Sequence, residues 1–145
     1  MAGLNMFEEF VRSRGRSLRE IGSADVALTK EDALEALKLI KQEPVIVLGV
    51  NIVNYDEDDW PTYDLFGVLS IGRNCNETLE DLSRRSKAVG KYYIMEMGVS
   101  NNERPPGFVL TVCNFEQFNE LQTLKDRADR ALAEEVDRWK AQPPP

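Results

Sequence analysis

The sequence contains no histidine among its 145 residues. Histidine is the commonest general base in enzymes and the commonest side chain that binds metal ions. Its absence therefore excludes serine–histidine and cysteine–histidine nucleophile pairs. The glycine-rich phosphate-binding loops and the G-x-S-x-G motif of hydrolases are missing as well. These absences predict a protein that is not an enzyme, and they leave open only catalysis by two facing carboxylates, as in glycosidases.

Cysteine is scarce and long apolar runs are missing. Cys75 and Cys113 are far apart and fit no metal-binding spacing such as C-x-x-C. No apolar run reaches the length of a membrane span, and the first residues lack the apolar stretch of a secretory signal. We therefore expect a cytoplasmic protein with free thiols, no metal, no cofactor and no membrane contact. Cys113 lies in an apolar run and is expected to be buried.

Basic residues are fewer than acidic ones: 18 Lys and Arg against 25 Asp and Glu give a net charge of −7. Binding to nucleic acid regardless of its sequence requires Lys and Arg to neutralise phosphates, so nucleic acid is not expected as a partner. The nearest approach to a basic patch is a group of four arginines between positions 12 and 19. Glutamates flank this group, which predicts a solvated, self-neutralising surface.

The chain length and an ordinary globular composition predict one domain over residues 1–142, followed by a proline tail at 143–145. Apolar spacing of three and four residues predicts four helices, at residues 4–14, from Thr29 to Pro44, from residue 77 or 78 to Gly98, and from Asn114 toward Trp139. Apolar and β-branched runs predict strands at residues 45–53, 65–71 and 108–113, and residues 17–28 are predicted to be irregular with one turn at 18–21.

The predicted fold class is α+β: a small, mainly antiparallel sheet of three to four strands, packed by the second and third helices, with a long C-terminal helix. Gly49 interrupts the first strand, which indicates a bulge or the close approach of another backbone. A second capping sequence at residues 123–126 could divide the last helix.

The acidic residues are concentrated between Asn54 and Gly72, where five carboxylates and no Lys or Arg occur. This stretch supplies −5 of the net charge of −7. Aromatic residues are interleaved with the acids, and the combination is typical of a surface that meets a basic partner. Two simpler interpretations stay open: the acids form a solvated hairpin connection that keeps the protein soluble, and Trp60 and Tyr63 pack over the sheet edge.

A calcium site in this stretch is not predicted. The acids at positions 56, 58 and 59 are hard oxygen ligands, but the D-x-D-x-D-G template with a later glutamate is not met. Trp60 and Pro61 stand where that loop would need its glycine.

A shared pattern with a known family occurs in six segments of the sequence, at residues 17–22, 27–29, 32–37, 46–49, 60–66 and 85–94. These segments resemble the immunity protein forty family of bacterial polymorphic toxin systems. They extend from about Ser17 to Cys113. Where the family carries Leu-Gly-Gly-Asp, this chain has Leu48-Gly49-Val50-Asn51, so Asn51 keeps the shape of the Asp and loses its charge.

The resemblance implies a non-enzymatic inhibitor that binds a cognate bacterial toxin domain. We expect this antitoxin to neutralise the toxin by occlusion, as a monomer or weak homodimer. An acidic inhibitor is suited to a basic toxin. The predicted contact residues are Asn51, Tyr55, Asp56, Glu57, Asp58, Asp59, Trp60, Tyr63 and Asp64. The alternative is a structural or regulatory module that associates with itself through the C-terminal helix.

Overall fold

A computed structural model describes residues 2–97 and 104–143 of the chain. Its elements in chain order are α1 (Ala2–Arg14), β1 (Arg16–Ser17), a 3₁₀ turn (Arg19–Ile21), β2 (Val26–Ala27), α2 (Lys30–Leu39), β3 (Val45–Tyr55), β4 (Pro61–Ser70), α3 (Leu79–Met97), β5 (Gly107–Asn114) and α4 (Phe115–Ala141). The chain forms two compact units, Met1–Cys113 and Asn114–Pro145. The predicted α+β fold class is confirmed.

The main sheet of the first unit has the strand order β4-β3-β5, with β3 in the centre. Six of the eleven β3 residues are buried, as expected for a central strand in a β-branched run. β3 and β4 pair antiparallel, from Tyr55 opposite Pro61 to Gly49 opposite Ser70. A Cβ atom at Gly49 would lie 2.4 Å from the carbonyl oxygen of Leu69, so the close backbone approach predicted at this glycine is found.

β4 begins at Pro61, four residues before the predicted start. The prediction was wrong because proline and acidic residues rarely occur within strands, which made residues 61–64 resemble a loop. Pro61 is the first residue of an edge strand, where its missing N–H costs no ladder hydrogen bond. The connection between β3 and β4 is therefore only residues 56–60, and Tyr63 and Asp64 belong to the strand.

The helices of the first unit are stacked on one another: α3 packs against β3, α2 against α3, and α1 against α2. Two buried serines on α3 bond directly to the backbone of β3. Ser83 Oγ donates to the Val45 carbonyl at 2.6 Å, and Ser86 Oγ accepts from the Val47 N–H at 3.0 Å. These bonds fix the position of the helix on the sheet.

The predicted helix ends are confirmed in part. Thr29 caps α2, since its side chain accepts a hydrogen bond from the Asp32 N–H at 3.1 Å. α2 ends at Leu39, before Pro44, because residues 40–44 form turns. The predicted end of α3 at Gly98 lies outside the described residues. Residues 17–28 were predicted to be irregular with one turn at 18–21, and this holds for most of them. A 3₁₀ turn forms at Arg19–Ile21, while Ser17, Val26 and Ala27 belong to a two-stranded sheet of β1 and β2.

The second unit contains α4, which runs without interruption over 27 residues and is about 40 Å long. Asn114 caps it in a capping box with Gln117, as the sequence predicted for Asn114. The division considered at residues 123–126 does not occur. Five large apolar side chains of this helix are exposed, namely Leu121, Leu124, Leu132, Val136 and Trp139.

Candidate functional site

Residues 56–60, here called the acidic turn, connect β3 to β4 and are shaped by the first acid of the run. One carboxylate oxygen of Asp56 accepts hydrogen bonds from the backbone N–H groups of Asp58 and Trp60, each at 2.9 Å. The backbone of Asp56 also bonds to Trp60 and Asp59. Asp59 lies in the left-handed region at φ 63°, which an aspartate tolerates better than most residues. Asp56 is thus a turn-forming residue.

Asp59 is held between two arginines that are distant in sequence. Its carboxylate lies 3.0 Å from an Arg16 guanidinium nitrogen and 2.8 Å from an Arg104 nitrogen. Arg16 also bonds to Glu20 at 2.6 Å and stacks over the Tyr55 ring at 4.9 Å. The hydrogen bond to Glu20 is the main cause of the raised pKa of Arg16. The charge of Asp59 is therefore neutralised within the protein.

Glu57 and Asp58 point outward at the tip of the acidic turn. Both are exposed, and within the described residues neither carboxylate has a hydrogen bond or an ion pair. Trp60 follows them with 47% of its surface exposed. Of the acidic turn, these three side chains are exposed and make no hydrogen bond or ion pair with the described residues.

Tyr55 and Tyr63 pack against a buried cluster in the body of the first unit. The cluster contains Leu18, Ala27, Val53 and Val109. The Tyr63 hydroxyl donates to the Asp25 carboxylate at 2.5 Å and lies 2.8 Å from the Ser23 hydroxyl. Burial raises the pKa of both tyrosines, and the bond to Asp25 raises that of Tyr63 further. Tyr63 therefore packs at the sheet edge, which is one of the two simpler interpretations that the sequence left open.

A second feature lies on β4, next to the acidic turn. Asn51 pairs with Val68 and Val53 pairs with Tyr63, so four β4 residues, 64–67, stand opposite the single β3 residue Ile52. We call residues 64–67 the apolar bulge. It presents Leu65 and Phe66 to solvent, and sequence reasoning missed both because their apolar character predicted buried strand positions.

The remaining predicted residues lie near the apolar bulge. Asp64 accepts hydrogen bonds from the Phe66 N–H at 2.9 Å and from the Asn54 side-chain amide at 3.2 Å. Asn51 is half-buried and pairs with Val68, the first β4 residue after the apolar bulge. The nine residues therefore lie along one hairpin, but they face different directions and their contact role stays a prediction.

A cleft of about 460 Å³ adjoins the acidic turn on the side of Arg16 and Arg104. Arg14, Lys30 and Asp59 also line it. Among residues 2–97 and 104–143, no three or more His, Cys, Asp or Glu side chains are grouped in a way that could hold a metal ion. In the same part of the chain, no helix combines the length and the apolar character needed to cross a bilayer.

No curated protein and no solved structure matches the chain. The family model described as Immunity protein 40 matches residues 17–112, which include all five strands apart from the ends of β1 and β5, together with the acidic turn and the apolar bulge. The resemblance read from the sequence is confirmed, and the chain belongs to the Immunity protein 40 family.

Proposed function

We propose that the protein binds a cognate bacterial toxin in the cytoplasm and neutralises it by covering its active surface, without catalysis. Membership of the family supports the general role. The observation that carries the finer proposal is the pair of exposed carboxylates of Glu57 and Asp58 beside the half-exposed Trp60, since no described residue bonds to either carboxylate. A partner with Lys or Arg at the matching place would be attracted and oriented by them.

The two acids matter more for binding than their neighbours because, among residues 2–97 and 104–143, no group bonds to their carboxylates. Asp59 already pairs with Arg16 and Arg104, and one oxygen of Asp56 bonds to the turn backbone. A tryptophan beside them adds a large apolar surface at low entropic cost, the type of residue that most often dominates interfaces. The other predicted contact residues contribute mainly by holding the hairpin in shape.

An enzymatic role is disfavoured by the position of these acids. Catalytic carboxylate pairs face each other on rigid elements across an enclosed site. Here the outward acids are adjacent on an open turn, Asp56 bonds to the backbone of the turn, and Asp59 pairs with Arg16 and Arg104. Occlusion requires only the shape and charge of this surface.

The test compares two double variants that each remove two negative charges. Glu57→Gln/Asp58→Asn alters the acidic turn, while Glu8→Gln/Glu9→Gln alters two exposed acids on α1, outside the family match. Affinity and association rate for the toxin encoded beside the gene are measured at low and high salt. We expect the first variant to bind at least about 10-fold more weakly, mainly through slower association at low salt, and the control to be unchanged. Equal behaviour of the two variants would contradict the role of the acidic turn.

A second candidate function is self-association through α4, which the exposed apolar side chains of that helix favour. Leu124 and Leu132 are 59% and 63% exposed. Sedimentation of the full chain and of Leu124→Gln/Leu132→Gln separates the possibilities: a concentration-dependent dimer that the double variant abolishes supports it, and a monomer in both cases excludes it.

A further inference from the structure

The most exposed large apolar side chains of the described chain lie on the apolar bulge. Phe66 is 95% exposed and Leu65 is 87% exposed, and Val68, directly after the bulge, is 53% exposed. A single exposed apolar residue is ordinary, but adjacent ones at nearly full exposure on one edge mark a contact site. A phenylalanine carries about 200 Å² of surface that a partner can bury.

The apolar bulge is held in place by the protein itself. The Asp64 carboxylate bonds both to the Phe66 N–H and to Asn54 on the neighbouring strand. Gly67 allows the chain to return to the sheet, since a Cβ atom there would lie 2.8 Å from the Ile52 Cβ. Leu65 and Phe66 are thus displayed on a preformed backbone, which lowers the entropic cost of binding through them.

The bulge also determines how a partner can bind. β4 is an edge strand, and a regular edge would accept another strand by backbone hydrogen bonds. Three extra residues interrupt the ladder in the middle of this edge, since residues 64–67 stand opposite the single residue Ile52. A partner therefore meets side chains here, and the fitting complement to Leu65 and Phe66 is an apolar pocket.

The acidic turn and the apolar bulge are close enough to belong to one interface. From Pro61 to Leu65 the strand advances about 13 Å, well within an interface of about 800 Å² on each partner. A second copy of the chain is a poor occupant, because it would bring its own negative hairpin against this one. A basic protein surface is complementary in charge.

We propose that Phe66, supported by Leu65, inserts into an apolar pocket of the toxin that lies beside the basic residues contacted by Glu57 and Asp58. This proposal rests on the proposed function and names the chemistry of the partner's site. The bulge supplies the buried centre of the contact, and the acidic turn supplies the steering charge at its margin.

The test measures toxin binding by Phe66→Ala, with Tyr92→Ala as the matched control. Tyr92 lies on α3 and is 67% exposed, so both substitutions remove an exposed aromatic ring. We expect Phe66→Ala to weaken affinity at least about 30-fold, mostly through faster dissociation and with little dependence on salt. Tyr92→Ala should bind like the unaltered protein. The thermal midpoints of both variants should stay unchanged, because neither ring is part of the core.

The outcomes separate this proposal from the one on which it rests. If Glu57→Gln/Asp58→Asn weakens binding and Phe66→Ala does not, the pocket proposal is refuted while the acidic turn stands. If only Phe66→Ala weakens binding, the contact role of the apolar bulge is supported and the electrostatic role of the acidic turn is refuted. No effect from either refutes both, and a dimer that Phe66→Ala converts to monomer identifies a second copy as the occupant and overturns the proposal.

Discussion

The shape of the acidic turn should depend on the oxygen of Asp56 rather than on its charge. That oxygen accepts two backbone hydrogen bonds, from Asp58 and Trp60, each 2.9 Å long. Asp56→Asn keeps an oxygen in the same place and removes the charge, whereas Asp56→Ala removes both. The pair of variants therefore separates geometry from electrostatics at one position.

The expected magnitudes follow from the two bonds. Each contributes about 0.5–1.5 kcal/mol net, and because the turn is exposed, water can replace the lost acceptor and the lower part of that range applies. We expect Asp56→Ala to lower the free energy of unfolding by about 1–2 kcal/mol and Asp56→Asn to lower it by less than about 0.5 kcal/mol. Urea denaturation, monitored by tryptophan fluorescence, measures the free energy of unfolding of both variants, provided that the m-value is unchanged.

Two results would refute this reasoning. Equal destabilisation by the two substitutions would show that the negative charge, not the acceptor geometry, stabilises the turn. An unchanged midpoint for Asp56→Ala would show that the turn keeps its shape without this carboxylate. In toxin binding, Asp56→Asn should act more weakly than Glu57→Gln/Asp58→Asn, because the Asp56 carboxylate bonds to the turn and the other two point outward.

Three further predictions concern the body of the protein. Ser86→Ala should destabilise it by about 1–3 kcal/mol in urea, because the buried Val47 N–H loses its acceptor; an unchanged midpoint would contradict this. The hydrogen-bonded ion pair with Arg85 lowers the pKa of Glu77 to about 2. Glu77 therefore stabilises the fold above pH 4.5 and loses this contribution as the pH falls toward 2. Glu77→Gln should remove that part of the acid dependence, and an identical pH profile would refute it. Burial raises the pKa of Cys113 to about 11, so a thiol reagent at pH 8 should label only the exposed Cys75 until the protein unfolds; rapid labelling of both is the opposing result.

The elements that could be predicted from the sequence are those with a strong local signal. Thr29 and Asn114 could be predicted as helix caps because a capping side chain bonds to the backbone N–H only three residues later in the chain. Such a contact is visible in the local sequence. The central strand was found because β-branched residues dominate its apolar run. The sheet of β1 and β2 was missed because strands of two residues are too short to show alternation.

The candidate site was predicted as a region but not in its internal arrangement. The concentration of charge between Asn54 and Gly72 is a property of the sequence. Which acids face outward depends on groups elsewhere: Asp59 is neutralised by Arg16 and Arg104, 43 and 45 residues away. The exposure of Phe66 depends on the register of β4 against β3, and no local pattern specifies that register.

The two parts of the hairpin should control different steps of binding, and this gives a basis for specificity. Under the proposed function, charge at the acidic turn would act at a distance and accelerate the encounter with any basic surface. The apolar bulge would act only in contact, so it would slow dissociation only from a partner that offers a matching pocket. A non-cognate toxin with a basic cleft and no such pocket would be approached quickly and released quickly. Leu65 and Phe66 would then discriminate between toxins, while the acids would set the rate of association with each toxin.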